Sequence, residues 1–201
     1  MNPALRSALR RLGWGFVFPL LDIHIGPFDV LPDLIGYVMI ISALRQLGAK
    51  YDGCKAAIWL AVVLALLSVA RLGFNTSMTI YQFSTAPLVM HVYVQAAVIV
   101  HSLLAYRIFQ LLYRIAAPIA PPQLKDAIVS RRNYYMTVFA AQLFFYPFLI
   151  NIEESWVMLL LLLQVLFMLA EFLLIRLPFR MSRIRHNPPA DHDENAATAT
   201  E

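Results

Sequence analysis

Residues Trp156–Ile175 read WVMLLLLLQVLFMLAEFLLI. Only one ionisable group, Glu171, and one amide, Gln164, interrupt this run. A helix needs about 20 largely apolar residues to cross the hydrocarbon layer of a bilayer. This stretch meets that length without help from its flanks. Working towards the N-terminus, five further stretches share its character: Leu12–Ile25, Val30–Leu47, Ala56–Gly73, Pro87–Tyr106 and Tyr134–Ile152. None alternates with the period of two that a barrel strand requires. Backbone polar groups in lipid must be satisfied within the segment, so these stretches are expected to be helical.

Composition points the same way. Of 201 residues, 60% are hydrophobic and 14% charged. Globular chains are closer to half apolar and about a quarter charged. The expected fold class is therefore all-α: a polytopic integral membrane bundle of six transmembrane helices. It occupies residues 1–186, with spans near 12–25, 30–47, 56–73, 87–106, 134–152 and 156–175. Residues 187–201 turn to Pro, Ala, Asp, Glu and Thr and read as a disordered cytoplasmic tail.

The basic residues orient the bundle. With the N-terminus in the cytoplasm, Arg6, Arg10 and Arg11 lie inside. Arg45, Lys50 and Lys55 follow in the second connection, and Arg107, Arg114, Lys125, Arg131 and Arg132 in the fourth. Arg176, Arg180, Arg183 and Arg185 follow the last span. Fifteen of the sixteen Lys and Arg residues are then inside and Arg71 alone is outside. That is the bias expected of cytoplasmic loops. The chain is read as a cell-membrane protein with both termini cytoplasmic. The apolar run after Arg6, Arg10 and Arg11 ends in Asp22-Ile23-His24-Ile25-Gly26-Pro27, which is not a signal-peptide cleavage site.

Local signals fit this frame. Asn2-Pro3 reads as an N-cap and first helical position. Residues 116–122, rich in Ala and Pro, break the chain after the fourth span. Trp14, Trp156, Tyr134 and Tyr135 read as interface anchors. The single cysteine, Cys54, excludes an internal disulfide and a cysteine-cluster metal site. The net charge of +4 reflects helix-end arginines and implies no nucleic-acid partner.

The first hairpin is unusual. Leu12–Ile25 supplies 14 residues, about 21 Å of helix, against a hydrocarbon layer of about 30 Å. Gly26 and Pro27 then end it. The corner from Asp22 to Asp33 is expected to sit below the outer surface with three carboxylates and a histidine. The run Phe28-Asp29-Val30-Leu31-Pro32-Asp33-Leu34-Ile35-Gly36-Tyr37 resembles a family of uncharacterised multi-pass membrane proteins of low-GC Gram-positive bacteria. They carry a similar Asp-(Ile/Val)-Leu-Pro-Asp-x-(Ile/Val)-Gly-Tyr segment after a short first helix. The resemblance implies a multi-pass membrane fold and no activity.

Several polar residues fall within the spans, where ionisable groups are expensive and invite a functional reading. Asp22, Asp29, Asp33, Arg71, His91 and Gln95 form a candidate polar or ion site near the outer surface. Within that set Arg71 is expected to pair with Asp22, Asp29 or Asp33. Asp29 and Asp33 also suit the N-terminus of the second span, as a cap and a first-turn carboxylate. Asp22, His24, Asp29, Asp33 and His91 are the residue types that hold a divalent metal. His91, Gln95 and Ser102 lie within about 40° on one helix face at 100° per residue. Gln164 and Glu171, seven apart, share a face of the last span, and Glu171 is placed to reach His101 or Arg107. His101 and Glu171 are the candidate inner-leaflet pair. Interhelical hydrogen bonding is the simpler account of these polar positions.

No nucleophile elbow, Gly-rich phosphate loop or His-Glu-x-x-His motif is present. No cofactor and no catalytic residue is assigned. The expected function is a non-enzymatic accessory or assembly subunit of a membrane complex. The alternative is a small transporter or permeation unit for a cation, proton-coupled or small solute, using the acidic corner. A metal-dependent intramembrane enzyme ranks third. The lipid bilayer is the expected partner, with a second copy or another membrane protein beside it.

Overall fold

A computed structural model describes residues 2–20, 31–71, 86–149 and 157–184. Among them all regular structure is helical. Six helices follow in order: α1 (Pro3–Leu20), α2 (Leu31–Gly48), α3 (Cys54–Arg71), α4 (Leu88–Ala116), α5 (Pro122–Leu149) and α6 (Val157–Ser182). The hairpin corner at Asp22, His24 and Asp29, the basic residue Arg185, and the tail all lie outside the described residues.

Helix ends follow local chemistry. Asn2 Oδ1 accepts the Ala4 N–H at 3.0 Å, satisfying one of the free donors at the start of α1. Pro122 opens α5, where its missing N–H costs nothing. That helix therefore starts well before the expected span at Tyr134. Its first turns, PQLKDAIVSRRN, are too polar to register as apolar but bury Leu124 and Ile128.

Each helix packs on its chain neighbours, and α6 returns to pack on α1. The ring is closed, with α4 also reaching α6 across it. Contacts run in antiparallel register: Arg11 Nη1 donates to Ser42 Oγ at 2.8 Å, and Gly15 meets Gly36 and Ile40 further along. Between α4 and α5, Phe109 meets Tyr135 edge-on while His91 meets Tyr146. The first and last described turns therefore share one end of the bundle, where Arg6 and Arg10 face Arg183.

The backbones of α1 and α2 touch. A Cβ on Gly36 would lie 2.6 Å from the Gly15 carbonyl oxygen, and one on Gly15 would lie 2.9 Å from the Gly36 oxygen. Small residues at such crossings let helices approach when apolar burial cannot drive association.

The packed core lies towards the Arg-rich end. Leu9, Leu12, Phe16, Ile40, Leu44, Leu104, Ile108, Leu112, Ile115 and Leu174 are fully buried there. At that end Arg131 Nη1 donates to the Leu173 carbonyl at 3.2 Å. Burial, then the charges of Arg176 and Arg180, hold the Arg131 guanidinium below its usual range.

Large apolar side chains are exposed along the outside. Trp59, Val63, Leu66 and Val69 form one stripe on α3, and Val89 and Val92 lie on α4. Phe144 and Phe148 do the same on α5, and Leu162, Val165, Leu169 and Phe172 on α6. Two helices, α4 over Leu88–Ala116 and α6 over Leu161–Ser182, are long and apolar enough to cross a membrane. The segment Cys54–Ala70 of α3 is apolar but shorter.

Candidate functional site

The site assembles from four helices at mid-bundle. On α2, Asp33 and Tyr37 are one turn apart and share a face. His101 comes from α4, Tyr135 from α5 and Glu171 from α6. His101 Nε2 lies 2.9 Å from Glu171 Oε1. The Tyr135 hydroxyl donates to the same oxygen at 2.5 Å. On the far side of the imidazole, the Tyr37 hydroxyl lies 3.2 Å from His101 Nδ1.

Glu171 Oε1 accepts from the Tyr135 hydroxyl, and it accepts from His101 as well when the imidazole carries a proton on Nε2. His101 Nδ1 then accepts from Tyr37 when the ring is neutral and donates to Tyr37 when the ring is charged. Tyr37–His101–Glu171–Tyr135 is thus a hydrogen-bonded chain that joins α2, α4, α6 and α5.

Aromatic rings enclose the chain. Phe16 meets His101 edge-on at 5.9 Å, and Phe109 and Phe167 flank Tyr135 at 5.8 and 5.6 Å. Ser102, fully buried on α4, sits beside Tyr135. A cavity of about 360 Å³ opens against the chain. Asp33, Tyr37, His101, Gln164 and Glu171 supply its polar lining, and Phe16, Leu64, Val98 and Phe167 much of its apolar wall. Two carboxylates, an imidazole, a phenol and an amide in an apolar cavity form a surface suited to a proton or a small cationic solute.

A second polar group lies on the α4–α5 interface. His91 Nδ1 is 2.9 Å from the Tyr146 hydroxyl, and Gln95 sits beside Tyr146. The amide of Gln95 and Oε1 of Gln142 are buried without a hydrogen bond among the described residues. Tyr93 ties α4 to α3 by donating to the Leu67 carbonyl.

The residues singled out from sequence divide among these places. His101 and Glu171 meet. Asp33 joins them on the cavity rather than joining His91 and Gln95, which face α5. Asp22, His24 and Asp29, and the side chain of Arg71, lie outside the described residues. Among the described residues no group of three or more His, Cys, Asp or Glu side chains is arranged to hold a metal ion. Tyr135 corrects its sequence reading: it is fully buried and bonded to Glu171, so it is not an interface anchor. The spacing of Tyr37 from Asp33 was the available signal for Tyr37. Nothing local in the sequence separates Tyr135 from Tyr134.

No protein-family model, curated protein or solved structure matches the chain. The fold and site define an all-helical bundle with a polar-lined cavity between its helices.

Proposed function

We propose that this protein is a six-span cell-membrane protein, with both termini cytoplasmic, that moves protons or a small cationic solute through its central cavity. The exposed apolar stripes on α3, α4, α5 and α6 support immersion of the whole ring in lipid. The shared end of the first and last helices supports an even number of crossings. The arginines gathered at that end support its cytoplasmic placement.

The observation that carries the transport reading is the cavity of about 360 Å³ lined by Asp33, Tyr37, His101, Gln164 and Glu171. Interhelical hydrogen bonds in membranes average about 0.6 kcal/mol each, so three of them contribute little stability. Keeping a buried carboxylate and imidazole for that return is uneconomical. A cavity beside them supplies the missing reason. It moves the balance from an accessory subunit, which the sequence alone favoured, to solute passage.

The accessory reading keeps one supporting feature. Phe144, Phe145 and Phe148 form an exposed aromatic cluster on α5, with centroids 5.2 and 5.6 Å apart. Such a cluster suits a neighbouring membrane helix, from a second copy or another protein.

The test is charge movement by purified protein on a solid-supported membrane after jumps in pH, Na⁺, K⁺ or methylammonium. Currents above those of protein-free membranes, from at least one probe, support passage. Protein-free traces from every probe, together with recovery of a stoichiometric membrane partner by cross-linking, replace it with the accessory reading.

A further inference from the structure

At the Arg-rich end, α1 and α6 enclose a pocket of about 440 Å³, separate from the central cavity. Its walls are Arg6, Arg10 and Trp14 from α1, Phe179 and Ser182 from α6, and Arg183 just past the end of α6. The α1 residues recur at four-residue intervals and so share one face. Phe179 and Ser182 lie three apart and share a face of α6, and Arg183 follows directly.

The floor is ordered. Trp14 meets Phe179 edge-on, with centroids 5.8 Å apart and planes at 84°. A Cβ on Gly13 would lie 2.9 Å from the Phe179 ring, so the missing side chain is what seats that ring. The Ser182 hydroxyl donates to the Phe179 carbonyl at 2.8 Å, which fixes the last turn and the start of Arg183.

The rim is cationic. Arg6, Arg10 and Arg183 are exposed, and among the described residues none of them forms an ion pair or a side-chain hydrogen bond. Three like charges facing one pocket repel each other until an anion joins them. Guanidinium forks match phosphate oxygens two at a time.

Trp14 decides the source of the phosphate. Its ring belongs to the pocket and is also half-exposed, next to the apolar run of α1. Indole at the join of a charged rim and an apolar flank is the interfacial arrangement. Basic pockets between spans on the cytoplasmic side suit anionic headgroups. We infer that this pocket binds the phosphate headgroup of an anionic phospholipid from the cytoplasmic leaflet, its acyl chains lying along the α1–α6 seam. The inference rests on immersion in lipid and not on the cavity, so absence of transport leaves it standing.

The experiment measures thermal unfolding and lipid retention by native mass spectrometry in neutral detergent, with added phosphatidylglycerol, phosphatidylcholine or inorganic phosphate. Phosphatidylglycerol should raise the midpoint and stay bound, and the other two should not. The variant R6Q/R10Q/R183Q should weaken phosphatidylglycerol binding at least tenfold. R45Q/R107Q/R132Q, with the same charge removed elsewhere, should bind like wild type. Arg10→Glu alone is the second variant and should also lose retention. Equal loss in both triple variants, or no loss in the first, overturns the site. Protection by inorganic phosphate equal to that by phosphatidylglycerol overturns the lipid source.

Discussion

His101 on α4 and Glu171 on α6 meet at 2.9 Å between Nε2 and Oε1, with Tyr135 donating to the same carboxylate oxygen. The pair joins helices that otherwise touch sparingly across the ring. Glu171 is buried, and His101 and Tyr135 are its hydrogen-bond partners among the described residues.

Removing one partner is therefore worse than removing both. His101→Leu should cost about 3–5 kcal/mol, because Glu171 is left buried without its imidazole partner. The double variant His101→Leu with Glu171→Met should recover most of that loss, since no orphaned group remains. Thermal unfolding in detergent checks the order. Simple additivity of the two single losses would show that the pair is not coupled.

The α1–α2 crossing makes a second prediction. Gly36→Ala places a methyl against the Gly15 carbonyl, a backbone atom that cannot swing away. Gly13→Ala meets only the Phe179 ring, which can turn. Gly36→Ala should cost about 1–3 kcal/mol and Gly13→Ala less. Midpoints in the reverse order would contradict the close approach.

Cys54 offers a pH signature at the start of α3. Burial raises its thiol above the ordinary range, Arg114 opposes this, and Asp52 adds to it. Because the raised value belongs to the folded state, the stability it contributes is complete below the ordinary thiol range. That contribution is lost as pH rises through the folded value. Alkylation by a water-soluble maleimide should be slow at neutral pH and accelerate with alkalinity. Asp52→Asn should speed it. A rate equal to that of an unfolded peptide thiol at neutral pH would contradict this environment.

Topology is checked with single cysteines in a Cys54→Ala background. Asn2→Cys and Ile184→Cys should resist an impermeant maleimide in intact cells and react after permeabilisation. Ala86→Cys, at the opposite end of the bundle, should react from outside. Labelling of either first-named position in intact cells would reverse or break the proposed orientation.

Apolar runs made the all-helical class readable. They failed where a helix is polar. The first turns of α5, from Pro122 to Asn133, carry Lys125, Asp126, Arg131 and Arg132, so no hydropathy rise marks them. The facing of Gln164 and Glu171 followed from a seven-residue spacing. The bond from Tyr135 to Glu171 did not, because a tyrosine near a span end is equally suited to an interface. Tyr37 sits one turn from Asp33 and could have been placed on its face. The Gly15–Gly36 contact was hidden because helix periodicity does not say which neighbour a small residue faces. Of the acidic corner that dominated the sequence reading, Asp33 is the carboxylate among the described residues, and it lines the cavity.

Passage through the cavity is tested most directly by proton flux into vesicles. Wild type and Glu171→Gln are reconstituted at matched density with an internal pH dye, and a K⁺ diffusion potential is imposed with valinomycin. Glutamine keeps the shape and an acceptor oxygen but cannot carry the charge. Wild-type vesicles should change internal pH faster than protein-free vesicles, and Glu171→Gln vesicles should fall to the protein-free rate. Equal rates for wild type and Glu171→Gln, or for wild type and protein-free vesicles, would contradict a proton path through this pair.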